Sequence, residues 1–190
     1  SIHSGKCIGI VAAWIVEKPL AIEAEDYRAI RSFAETSKLK IAINHQLHVQ
    51  PRRFALQQRV AAGEIGAIRS VDASCGMNLA YQGTHALQAI GAFLPECTPV
   101  QVMAQVGCGK GLENTPKKHF APDNTLAVIS YDNGIQAHLQ SGATAPQIGR
   151  DGIQTHKRIA VHGTRGYVHW TMWSWEIGID GHVETGTHEY

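Results

Sequence analysis

Two short runs in this sequence carry side chains that could move a proton or hold charge beside a ligand. Glu17-Lys18-Pro19 follows an apolar stretch and sets a cation at the end of a strand. Gly83-Thr84-His85 sets an imidazole at a helix start. There the positive helix end favours the neutral ring, available as a base. Each run alone also has a plain reading, as a solvated lysine and a helix-start histidine. Gly107-Cys108-Gly109-Lys110-Gly111 has the glycines of a phosphate-binding turn. Such a turn opens a helix onto the anion, and Leu112 to Pro116 breaks any helix, so it reads as an ordinary turn. Of the 11 histidines, His45 and His48 lie three apart, and His162 and His169 fall on neighbouring strands. Zinc needs three or four ligands in fixed geometry, and neither H-E-x-x-H nor paired C-x-x-C occurs, so no metal is expected. Trp170, Trp173 and Trp175 read as core or interface packing, with a sugar-stacking platform as the sharper alternative.

The elements that must position these groups come from an ordinary globular composition. The chain has 190 residues, 44% hydrophobic and 17% charged, which excludes disorder and suffices for a core without disulfide or metal staples. With 17 basic and 16 acidic side chains there is no excess to neutralise phosphates, so nucleic acid is not an expected partner. No run has the roughly 18 apolar residues of a membrane span, and no cleavage site follows the first apolar run. Cys7, Cys75, Cys97 and Cys108 form no C-x-x-C pair. Reduced thiols and a cytoplasmic location are the expectation.

Periodicity then places the elements. Cys7 to Val16 predicts a buried strand, or a short helix running into one, 22–37 an amphipathic helix and Lys40 to Asn44 a short strand. Pro51 suits a first helical position and Gly63 a C-terminal cap, so 51–62 predicts a helix. Ala67 to Met77 reads as strand, Thr84 to Leu94 as helix, and Pro99 to Val106 as strand. Asp132-Asn133-Gly134 joins 124–131 to 135–141 as a hairpin. Gly163-Thr164-Arg165-Gly166 joins 158–162 to 167–172, and a last strand spans 175–179. The early part predicts parallel pairing and the part from about Ala67 antiparallel pairing. The three tryptophans are expected on an exposed sheet face that drives self-association.

Taken together, these motifs resemble the Gfo/Idh/MocA family, the glucose–fructose oxidoreductase and inositol dehydrogenase relatives. Val16-Glu17-Lys18-Pro19-Leu20-Ala21 is similar to its E-K-P signature. Ile43-Asn44, Pro51 and 61–66 (AAGEIG) resemble its N…P…AAGEIG stretch. Gly83-Thr84-His85 resembles its G-x-H helix start, and 158–166 its late I-x-G-T-x-G turn. The match runs in order along nearly all of the chain. It implies an α/β (α+β) fold: a remnant of a Rossmann domain, then an open, mostly antiparallel sheet with helices on one face. The expected division is 1–45 for the dinucleotide-binding remnant and 46–190 for an α/β substrate-binding and oligomerisation domain.

The implied activity is NAD- or NADP-dependent oxidation or reduction of a sugar, polyol or related hydroxy compound. Lys18 would sit beside nicotinamide and substrate, with Glu17 and Pro19 also at the cofactor. His85 would transfer the proton, with Tyr81 as a further catalytic candidate. Asn44, His48 and Thr84 would contact substrate. Alcohol oxidation does need a base for the hydroxyl proton and a cation for the developing alkoxide. A homo-oligomer built through the late sheet is also implied.

Two features depart from the family. The chain starts almost at the E-K-P strand, without the G-x-G-x-x-G turn, so a fragment that binds NAD(P) weakly on its own is expected. The position four before His85, often Asp in the family, is Tyr81, and the one three after it is Gln88. Two rival readings follow: a cofactor-free or inactive binding or assembly subunit, and a lyase or glycoside hydrolase on the same scaffold.

Overall fold

A computed structural model describes residues 13–107, 121–122, 124–146 and 156–188. The first half of the expected opening strand and the glycine-rich turn beyond Gly107 lie outside the described residues. The chain divides into two compact units, Ser1–His45 and Gln46–Tyr190.

In the first unit, β1 (Ala13–Glu17) runs into α1 (Ala24–Ser37) and then β2 (Lys40–Asn44). The two strands pair in parallel, from Ala13 opposite Lys40 to Glu17 opposite Asn44. Helix α1 ends on Lys38, whose φ of 55° is left-handed. None of its 14 residues is buried. The apolar stripe of the helix touches the strands through Trp14 and Phe33, whose rings stack at 6.1 Å.

The second unit opens with a single 3₁₀ turn (Gln46–Val49) and α2 (Pro51–Ala61). Pro51 takes the first helical position, and the Gln50 side chain accepts the Arg53 N–H at 2.6 Å. Gly63 follows the helix with φ +81°. Then come β3 (Ile68–Cys75), α3 (Thr84–Phe93), β4 (Pro99–Gly107), β5 (Asn124–Tyr131), β6 (Gln136–Ser141), β7 (Lys157–Gly163), β8 (Gly166–Thr171), β9 (Ser174–Ile179) and β10 (His182–Thr187).

These eight strands form one sheet in the order β10-β9-β8-β7-β3-β6-β5-β4. All neighbours are antiparallel except β3 and β6, which run parallel. The sheet is therefore mostly antiparallel, as expected, with one parallel pair at its centre. Alternation sends Val71, Ala73, Ala137, Leu139, Val161 and Val168 to one face, where α3 supplies Ala86, Ala89, Ile90 and Phe93.

The Gly163–Gly166 turn does more than join two strands. Its Thr164 and Arg165 N–H groups bond Ala67 O and Ile65 O, both at 2.9 Å. A Cβ on Gly163 would lie 2.2 Å from Ile65 O, so the chain approaches here as only glycine permits.

The expectation of an exposed tryptophan face fails for Trp170, whereas Trp173 is 38% exposed. Trp170 pairs with Ile159 and Trp175 within the helix-covered face, and Trp170 is 2% exposed. Strand alternation turns it to the core. The opposite face is polar instead. Asp72 accepts from His138 Nδ1 at 2.8 Å, and His162 Nε2 lies 3.5 Å from its other oxygen. His162 and His169 meet edge to face at 5.7 Å, and the Tyr167 hydroxyl donates to Glu176.

Candidate functional site

The expected site residues fall in both units. In the first, Glu17 and Asn44 end the two parallel strands as register partners, and Asn44 Nδ2 donates to Glu17 Oε1. Lys18 follows, half-buried, before a cis bond to Pro19. Carboxyl ends of parallel strands are where open α/β sheets bind ligands.

A dinucleotide can be tested against this unit. A half-buried lysine and an amide at the strand ends suit the hydrogen-bonding carboxamide of the nicotinamide end. The pyrophosphate end has no fit among the described residues. Among the described residues of this unit the one helix starts with Glu23, Glu25 and Asp26, which oppose an anion.

In the second unit, Tyr81, Thr84 and His85 lie around a helical junction. A π turn, Leu79–Gly83, leads directly into α3. Asn78 caps it by accepting the Tyr81 N–H on its side chain at 3.1 Å. Gly83 itself is in the right-handed helical region. This corrects the expected helix start: the backbone already turns from Leu79, so the His85 ring is not at a free helix N-terminus. The junction instead buries it, at 6% exposure, while Tyr81 stays 38% exposed. The Thr84 hydroxyl is buried without a hydrogen-bond partner among the described residues.

Below His85 lies a network that the motifs did not announce. Arg53, 1% exposed, donates from one guanidinium nitrogen to Gln88 Oε1 at 2.6 Å. Gln88 Nε2 then donates to His48 Nδ1 at 2.8 Å. Arg53 has only protons to give, so it fixes the orientation of the Gln88 amide. His48 must therefore accept at Nδ1 and carry its proton on Nε2. The Arg53 guanidinium also lies 5.7 Å from the Trp170 ring centroid. Gln50 accepts from Trp170 Nε1 at 3.3 Å and donates to His188 Nδ1 at 2.9 Å.

Burial pushes Arg53 down to about 10, and also lowers His188. The signal for Arg53 was present in the sequence. It shares a helix face with Leu56 and Val60, at spacings of three and seven. So Tyr81, Thr84, His85 and His48 share one unit, and Glu17, Lys18, Pro19 and Asn44 the other.

No family model matches this sequence, and no curated protein does. Solved structures match in fold. An oxidoreductase from Pseudomonas syringae superposes with TM-score 0.74 at 18% identity, over 91% of this chain and 49% of that one. An inositol dehydrogenase homolog from Azotobacter vinelandii, complexed with NADH and myo-inositol, gives 0.72 at 19%, over 91% and 49%. An oxidoreductase from Agrobacterium radiobacter, in complex with NAD+, L-tartaric acid and magnesium, gives 0.70 at 15%, over 90% and 53%. This chain has the fold of those oxidoreductases. It spans about half the length of each. Among the described residues no helix is long and apolar enough to cross a membrane, and no cluster of His, Cys, Asp or Glu could hold a metal ion.

Proposed function

We propose that this chain is the substrate-domain part of an NAD(P)-dependent oxidoreductase acting on a sugar, polyol or related hydroxy compound. Residues 1–45 are read as the end of its dinucleotide-binding domain and 46–190 as its substrate and oligomerisation domain. The observation that carries the reading is the placement of His85. It is a buried imidazole after a π turn, on the wall of a cavity shared with Arg53 and Lys157. π turns inside helices are frequent at functional sites, and imidazole is the side chain that changes charge near neutral pH. The fold shared with oxidoreductases supports it.

In this reading His85 takes the hydroxyl proton. Lys18, from the E-K-P motif, favours the developing alkoxide, and Asn44, His48 and Thr84 contact substrate. Glu17, Lys18 and Pro19 hold the nicotinamide end of the cofactor, which when bound accepts or gives the hydride. Tyr81 is a second proton donor where it replaces the family's carboxylate. The late strands of the sheet are assigned to self-association, checked by light scattering. A cytoplasmic location is part of the same reading, checked by cell fractionation.

The test uses the protein in its native reading frame with NAD+ or NADP+ and a panel of polyols, sugars and hydroxy acids. Reduced nicotinamide should form. His85→Ala should lower kcat by about 10²–10⁴ with little change in cofactor affinity. A loss below about threefold would remove His85 from the reaction. Tyr81→Phe should be nearly silent if Tyr81 only packs, and as damaging as His85→Ala if it donates a proton. For the 190-residue chain alone, calorimetry with NAD+ should give no micromolar dissociation constant, because Glu23, Glu25 and Asp26 oppose the pyrophosphate.

A further inference from the structure

The cavity beside His85 has an unusual wall. Arg53 and Lys157 line it with His85 and Trp170, and among the described residues no carboxylate does. Arg53 and Lys157 thus set two cations on one small space in a chain whose formal net charge is +1.

Arg53 is the more demanding of the two. It is 1% exposed, its Nε has no hydrogen-bond partner, and no carboxylate among the described residues pairs with it. Its one side-chain acceptor is the neutral amide of Gln88. A buried cation without a counter-charge is costly, and a neutral amide satisfies a proton without cancelling the charge. The cavity volume is about 10 Å³, room for one oxygen-sized group.

We propose that this cavity is an oxyanion site, receiving one charged oxygen of a small carboxylate or similar group against Arg53. The planar guanidinium is the side chain best matched to such oxygens, and a cationic wall favours a charged oxygen over a neutral hydroxyl. Joined to the oxidoreductase reading, on which this clause rests, the substrate is a hydroxy acid rather than a neutral polyol. The acid group is held by Arg53 and the hydroxyl carbon is presented to His85.

The experiment is thermal unfolding of the 190-residue chain in sodium acetate and in sodium sulfate. Sodium chloride at matched ionic strength and myo-inositol serve as controls. The melting temperature should rise saturably with acetate and sulfate, by about 5 °C at concentrations well above the dissociation constant. Chloride and myo-inositol should not reproduce the rise. Arg53→Met should abolish it while leaving the anion-free melting temperature equal or higher, since a buried unpaired charge has been removed. Arg53→Lys should retain part of it.

If Arg53→Met does not fold, Lys157→Gln, which removes a cation from the same wall, should weaken the half-saturation concentration about tenfold. A rise that is linear and equal in wild type and variant is general salt exclusion and overturns the site. So does a flat response, or an equal response to chloride or myo-inositol. Because no cofactor is present, a failure here leaves the hydride-transfer reading standing. A failure to reduce NAD(P)+ likewise leaves anion binding untouched.

Discussion

Ile15 and Ile90 are both isoleucines inside regular elements, yet Ile15 is 82% exposed and Ile90 is fully buried. The contrast holds for the two units as wholes. The first has two parallel strands and a helix with no buried residue. The second closes eight strands over a core that runs from Leu47 to Ile177. Backbone hydrogen bonds and helical periodicity suffice to draw the first unit, but its apolar side chains gain little from water. A two-stranded pair and a helix of 14 residues are each marginal by themselves. Regular structure and stability are thus separate properties of this chain, and the second resides in the unit that buries His85 and Arg53.

The largest effect that would break this comparison is a core deletion. Ile90→Ala should cost about 2–5 kcal/mol by denaturant unfolding, from lost apolar burial and the cavity left behind. Ile15→Ala should stay within about 0.5 kcal/mol. Equal costs would mean that the first unit has a core of its own.

Chemical labelling sharpens the same point. Burial pushes the Cys75 thiol up to about 12, and the side chain is inaccessible on β3. Near pH 8 its thiolate fraction should be about 10⁻⁴. Cys75 should therefore resist alkylation until the large sheet opens, whereas the half-buried Cys97 reacts in the native state. Mass spectrometry of the alkylated peptides distinguishes the two.

The pH dependence should also belong to the second unit. His169 is held below its ordinary value, first by burial and then by His162. His188 is lowered mainly by burial. A depressed imidazole binds its proton more weakly when folded, so the unfolded state takes up more protons. Stability should be complete above the unfolded value of about 6.5 and fall as pH drops below it toward the folded values. His169→Gln should flatten that slope in melting curves taken across this range.

The smallest effect is in the first unit. Lys38 closes α1 in a left-handed conformation that glycine adopts without strain. Lys38→Gly should stabilise that helix by about 0.5–1 kcal/mol, seen as added helical ellipticity on mild heating.

Most element positions were legible because local rules governed them. Pro51, Gly63 and Asn133-Gly134 punctuate the chain where their backbone preferences require. Strand β10 was not foreseen, because Val183 is the one large apolar residue in His182–Thr187 and no alternation marks it. The π turn before His85 has no local signature at all. The parallel β3–β6 pairing joins segments far apart in sequence, which periodicity cannot see. At the site, the motifs pointed to His85, but Arg53 stood in an Arg-Arg pair that reads as solvated until its helix face is traced to Leu56 and Val60. Gln88 was visible only as a departure from a pattern. Its role depends on Arg53 and His48, one on either side of it in space.

The central position of β3 also bears on how the molecule assembles. Strands β4 to β6 and β7 to β10 follow one another as neighbours, and each group can form while only nearby chain is present. Strand β3 cannot take part early. Its Asp72 pairs with His138, 66 residues later, and on the other side with Ala160. Closing so long a loop is slow, because the entropy is lost before the contacts are gained. On a ribosome the strand would leave the exit tunnel well before either partner exists, with Val71, Ala73 and Cys75 still in water. Helix α3, following within a few residues and packing on the same face, is the one early shelter available to it. The helix that carries His85 would then guard the strand on which the whole sheet must close.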